Sequence, residues 1–125
     1  MISLTALFCI FAIHWVADFV LQTHEQAMNK SSSNIALVGH TFSYSMVWFA
    51  AGAVYAICNI ETYQHWHVSL FFLITFASHT VTDWFTSRWC KRYFSVGNYH
   101  NGFVVVGLDQ MLHYAQLILC YIWLK

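Results

Sequence analysis

Proline is missing from this sequence altogether, and charge is scarce: five Lys or Arg and five Asp or Glu stand among 125 residues. Without proline, nothing forces a break in the hydrogen-bond ladder of a long helix. Charged residues make up only 8% and hydrophobic ones 59%, too few charges to solvate a water-soluble globule of this size. A formal net charge of zero excludes the basic stripe that neutralises phosphates, and with it nucleic acid as a partner. Cys9, Cys58, Cys90 and Cys120 lack CxxC spacing. That excludes a zinc knuckle or disulfide framework and leaves them as small hydrophobes. The opening MISLTALFCIF has no basic stretch and no small-residue cleavage site after it, so a retained helix is expected rather than a signal peptide.

What the chain does have is long apolar runs. Four spans are predicted, at about 4–22, 34–58, 68–89 and 103–124, each of about 18–25 residues and long enough to cross a hydrocarbon core of about 30 Å. The expectation is a single domain, residues 1–125: an all-α integral membrane four-helix bundle. Continuous rather than alternating hydrophobicity argues against a β-barrel. The connections are THEQAMNKSSS, whose last serine, Ser33, or the following Asn34 suits a helix cap; NIETYQHWH; and CKRYFSVGNYHNG, broken by Gly97 and Gly102. Tyr63, Trp66, Trp84, Trp89, Tyr93, Tyr99, Tyr121 and Trp123 cluster near span ends as an aromatic belt, and Ala50, Ala51, Gly52 and Ala53 suit close helix packing. Lys30, Arg88, Lys91 and Arg92 lie at the first and third connections, with only Lys125 at the other side. The positive-inside rule therefore puts those connections in the cytoplasm and both termini outside.

Against this background three motifs stand out: HWVADF (14–19), HTVTDWF (79–85) and DQMLH (109–113). Each carries His and Asp at i, i+4, on one helical face. The pair is reversed in the last motif, which is what a helix running the opposite way needs to hold its polar residues at the same depth. His40 lies at a similar depth in the second span. Asp18, Asp83, Asp109 and His40 are thus expected to form one layer in the cytoplasmic half, with His14, His79 and His113 one turn deeper. An aspartate near the centre of a bilayer costs on the order of 2.5–3.5 kcal/mol, so three unpaired ones cost on the order of 8–10 kcal/mol. A bound dication compensates three carboxylates better than neutral imidazoles do.

The expected ligands are therefore His14, Asp18, His40, His79, Asp83, Asp109 and His113. Imidazole with carboxylate suits zinc, ahead of manganese or iron, and the absence of thiolates disfavours copper(I) and iron–sulfur clusters. Seven ligands allow two ions, or one ion with surrounding hydrogen-bond partners. A metal-free polar network pinning the helices together is the plainer alternative. Asp18 or Asp109, if not committed to the metal, suits a general base. Gln22 continues the Asp18 face, and Gln110 lies about 100° around the helix from Asp109, which predicts a helix–helix hydrogen bond. Lys30, Arg88, Lys91 and Arg92 are expected to be topology signals first and anion receptors second. His24, His65 and His67 are expected at the interface, and His100 is the one loop histidine facing the inner mouth.

The order HWVADFVLQT, MNKS, a histidine in the second span, HTVTDW and DQMLH resembles a bacterial and phage membrane family catalogued as domain of unknown function 3307. The resemblance covers nearly the whole chain. It implies a small four-helix protein of the bacterial inner membrane and brings no established reaction with it. That family often has a lysine shortly after the third-helix aspartate, where this chain has Arg88 as the nearest basic residue. Membrane-embedded His/Asp pairs also resemble those of small metal-dependent membrane hydrolases. That second resemblance alone implies hydrolysis, and a site one to two turns below the interface suits a lipid-borne or amphiphilic substrate reached from the inner leaflet. A divalent-cation or proton transporter and a holin-like or exclusion protein are the competing expectations, and a homo-oligomer fits all three.

Overall fold

The computed structural model describes residues 2–59 and 65–124. Every regular element among them is helical. Helix α1 (Leu4–Trp15) runs directly into a π-helical turn (Val16–Val20), followed by α2 (His24–Asn29), α3 (Asn34–Cys58), α4 (His65–Ser95) and α5 (Tyr99–Trp123). The all-α expectation holds, and α3 begins at the Ser33 cap, whose hydroxyl accepts from the Ala36 amide. Helices α3, α4 and α5 are long and apolar enough to cross a membrane, while Leu4–Val20 is a shorter apolar segment.

Three boundaries differ from expectation. The first span is not one continuous helix: Leu21 N–H donates to Val16 O, a π-type bond that inserts an extra residue at Asp18. The first connection is not a loop but contains α2, closed by a capping box between Thr23 and Gln26. The third connection is mostly helix, because α4 continues to Ser95 and α5 starts at Tyr99. The break there is a Schellman turn. Asn98 N–H reaches back to Tyr93 O, Gly97 N–H reaches Phe94 O, and Gly97 takes φ 73°, which favours glycine. Gly102 serves a different end, since a Cβ there would overlap the Phe94 ring. Its missing side chain lets the two ends of the α4–α5 hairpin close on each other.

Packing joins α4 to both α3 and α5, α1 to α5, and α2 to α3. One buried apolar cluster joins Ile10, Ala17, Tyr44, Trp48 and Leu117, and Leu37, Val68 and Val105 are buried apart from it. Buried beside it are ten polar residues, among them His14, Asp18, His40, His79, Asp83 and His113 at 0–3% exposure. Large apolar side chains such as Leu4, Phe8, Ile35 and Val54 point outward at 62–88% exposure. Burial is thus inverted relative to a water-soluble protein. Of the aromatic belt, Trp66, Trp84, Trp89, Tyr99 and Trp123 are exposed, and Tyr63 lies outside the described residues, as does Lys125. Ala51 and Gly52 line an apolar cavity of about 500 Å³, where a Cβ on Gly52 would stand 3.4 Å from Val68 Cγ1 of α4. No disulfide forms among the described residues; Cys9 and Cys58 face outward and Cys120 is buried.

Candidate functional site

The i, i+4 spacing brings each motif's two side chains onto one face, and the helix crossings bring those faces together. The closest His–Asp contacts lie between motifs, not within them. His40 Nε2 is 3.1 Å from Asp18 Oδ1, and His113 Nε2 is 3.0 Å from Asp83 Oδ1. The pairs inside the motifs are longer: 3.8 Å for His14–Asp18, 3.5 Å for His79–Asp83 and 3.4 Å for His113–Asp109. His79 Nε2 stands 3.5 Å from both Asp18 Oδ1 and Asp83 Oδ1, and 3.3 Å from His40 Nε2. Its ring stacks on His113 at 4.1 Å and packs against Tyr44 at 3.9 Å.

His14 has another role in this geometry. Gln110 Nε2 donates to Asp18 Oδ2 and Asp109 Oδ2, which turns Gln110 Oε1 toward His14 Nε2 at 2.8 Å. His14 Nε2–H must then donate, and Nδ1 accepts from the Tyr44 hydroxyl at 2.7 Å, a tautomer assigned from the network. Both nitrogens of His14 are therefore engaged. Gln110 makes the expected bond to another helix, and it does so inside the site, locking Asp18 to Asp109.

Three groups of buried or half-buried side chains could each hold a metal ion: Asp18, His40 and His79; His79, Asp83 and His113; and Asp18, Asp109 and His113. Six of the seven expected ligands enter them; His14 enters none. All three edges of the first group are short. Asp18 Oδ1, His40 Nε2 and His79 Nε2 form a triangle with sides 3.1, 3.3 and 3.5 Å. Two ligands on a tetrahedral zinc, each about 2.0–2.1 Å from the ion, stand about 3.3–3.4 Å apart. Both expected bases have both oxygens occupied, Asp18 by His40 and Gln110 and Asp109 by Thr86 and Gln110; they differ in exposure, 4% for the Asp18 side chain and 14% for Asp109.

Lys30, expected to mark topology, also enters the cluster. Its Nζ lies 2.8 Å from Asp83 Oδ2, with the lysine side chain at 19% exposure and Asp83 at 1%. Burial opposes the ammonium, but Asp83 and Asp18 more than offset this and hold its pKa above the ordinary lysine range. Arg88 turns away: it donates to Trp84 O and Asn34 Oδ1, and its guanidinium lies over the Trp84 ring. Lys30 thus supplies the cation beside the α4 aspartate that Arg88 does not. Lys91, Arg92, His24 and His100 are exposed and outside the cluster. His67 stacks on Trp66 at the far end of the chain's long helices, and the His65 side chain lies outside the description. Gln22 Oε1 is buried without a hydrogen-bond partner.

Sequence reasoning missed Tyr44 and Thr86, although Tyr44 is one turn from His40 and Thr86 three residues after Asp83, on the same faces. Gln116 Nε2 donates to Thr75 Oγ1 at 3.2 Å, carrying the polar column one turn beyond His79 and His113 before Ile10, Trp48 and Leu117 close it.

Fold and site together define an all-α protein that is apolar outside and carries a His/Asp/Lys cluster within. A family model described as protein of unknown function, DUF3307, matches residues 6–125, and the chain belongs to that family. No curated protein and no solved structure matches it.

Proposed function

We propose that this is a multi-pass bacterial inner-membrane protein whose four apolar segments, Leu4–Val20 and α3–α5, bundle around a divalent metal site in the cytoplasmic half, with both termini outside. The inverted burial supports the membrane reading, because outward Leu, Phe and Ile side chains need an apolar solvent. Lys30, Arg88, Lys91 and Arg92 gather at the end proposed to face the cytoplasm. The metal reading rests on one observation: the Asp18–His40–His79 donor triangle has edges of 3.1–3.5 Å, close to the roughly 3.3–3.4 Å of a tetrahedral zinc face. Zinc is preferred over manganese or iron because two of the three donors are imidazoles.

The chemistry is hydrolysis of an ester or phosphoester in a lipid-borne or amphiphilic substrate that enters from the inner leaflet. A bound dication would lower the pKa of a coordinated water toward 7 and polarise the scissile group. Asp109, the most open of the three carboxylates, takes the water's proton as oxygen attacks, and the leaving alkoxide is protonated in turn. The test is to purify the protein in detergent, quantify its metals, and measure release from lipid ester and phosphoester substrates with and without chelator. Chelator-sensitive release supports hydrolysis. Bound metal with no release, but with cation flux in liposomes, moves the same site to the transporter reading. The Gln116–Thr75 extension is the observation that favours that second reading.

A further inference from the structure

The two oxygens of Asp83 face different partners. Oδ1 faces His113 Nε2 at 3.0 Å and His79 Nε2 at 3.5 Å, the ligand side of the cluster. Oδ2 is held by Lys30 Nζ at 2.8 Å and has His40 Nε2 at 3.5 Å. A carboxylate bridging two metal ions gives one oxygen to each, the ions standing about 3.5–4 Å apart. Here one of those two oxygens already carries an ammonium. Charge points the same way: with the histidines neutral, Asp18, Asp83 and Asp109 with Lys30 leave a formal charge of −2, which one divalent cation neutralises.

The chain delivers this lysine by a defined route. The Thr23–Gln26 capping box starts α2, Lys30 is its C-cap, with its backbone N–H on Gln26 O, and Ser33 caps the next helix. Helix α2 packs against α3 and buries none of its own residues. Its clearest tie to the interior is the one long side chain it sends to Asp83.

We infer that Lys30 is a built-in cation that takes the seat of a second metal ion, so that the cluster holds one dication and not two. This rests on the metal reading above and assigns its stoichiometry.

The experiment is zinc titration of the detergent-purified full chain, with bound zinc per chain measured after gel filtration and affinity by competition with a chromophoric chelator. Wild type and Lys30→Arg are expected to hold one zinc. Lys30→Met is expected to hold two, or to bind the first at least ten times more tightly. Two zinc ions on wild type, or a Lys30→Met protein identical to wild type in both measures, overturns the inference. If Lys30→Met does not fold, Lys30→Gln takes its place and the wild-type stoichiometry still decides. No zinc on any form sinks the metal reading itself, and this inference with it. No zinc on wild type but one on Lys30→Met also overturns the inference, because the lysine then fills the place of the first ion and not of a second.

Discussion

Asp18→Asn is the substitution that most directly separates a metal centre from a polar network. It keeps the shape of the side chain while removing one of the three negative charges and one corner of the donor triangle. With Lys30 offsetting one carboxylate, two others are uncompensated, a cost on the order of 5–7 kcal/mol on insertion scales. A dication that offsets this binds with a dissociation constant on the order of 10–200 µM or tighter. At zinc about 100-fold above that constant, binding adds about 2.7 kcal/mol of stability. At about 4 °C per kcal/mol for a chain of this size, the thermal midpoint rises by roughly 10 °C. Partners that only orient a metal ligand are worth about 10–100-fold in affinity, and a ligand is worth at least the upper figure. At the same zinc concentration Asp18→Asn then retains about 0.4 kcal/mol, a shift of roughly 2 °C. Without zinc, its midpoint should stay near that of wild type, because the lost hydrogen bonds are offset by one fewer buried charge. The assay is differential scanning fluorimetry in detergent across a zinc series. Equal zinc shifts in the two proteins, or a large loss of stability in Asp18→Asn with no zinc effect in either, would refute the metal centre and leave a structural network.

Gln110→Leu removes the bridge among His14, Asp18 and Asp109 without touching a proposed ligand; zinc affinity should fall about 10–100-fold by competition titration, with stoichiometry unchanged. Gly102→Ala drives a methyl into the Phe94 ring at the α4–α5 hairpin, which should cost about 1–3 kcal/mol in thermal unfolding, and a double substitution with Phe94→Leu should recover part of it if that contact is the cause. Orientation is testable with single cysteines in a cysteine-free background: an impermeant thiol reagent should label Ser3→Cys in intact cells, and Val96→Cys only after the membrane is opened. The reverse labelling would invert the topology.

Much of the fold follows from sequence alone because the constraint behind it is local. Absence of proline, four long apolar runs and the Ser33 cap specify helices wherever the chain folds, and α3 occupies its expected span, Asn34–Cys58. The reversal of His and Asp in DQMLH likewise follows from one antiparallel helix needing the same depth as its neighbours. Six of the seven expected ligands meet in the three donor groups for that reason. What periodicity could not supply is which side chains face each other across helices. A spacing of four residues sets a shared face, yet side chains project away from their own helix, so His40 meets Asp18 and His113 meets Asp83 more closely than any His meets its own motif's Asp. The π turn at Asp18 has no proline or glycine to announce it, and only packing decided it. Lys30 is read as a surface charge from its polar surroundings; a short capped helix is what carries its ammonium 2.8 Å from a buried carboxylate. Composition and periodicity therefore determined that this protein would bury His and Asp together inside an apolar shell. The tertiary structure decided their partners and the cation among them, because those depend on helix crossings between residues far apart in the chain.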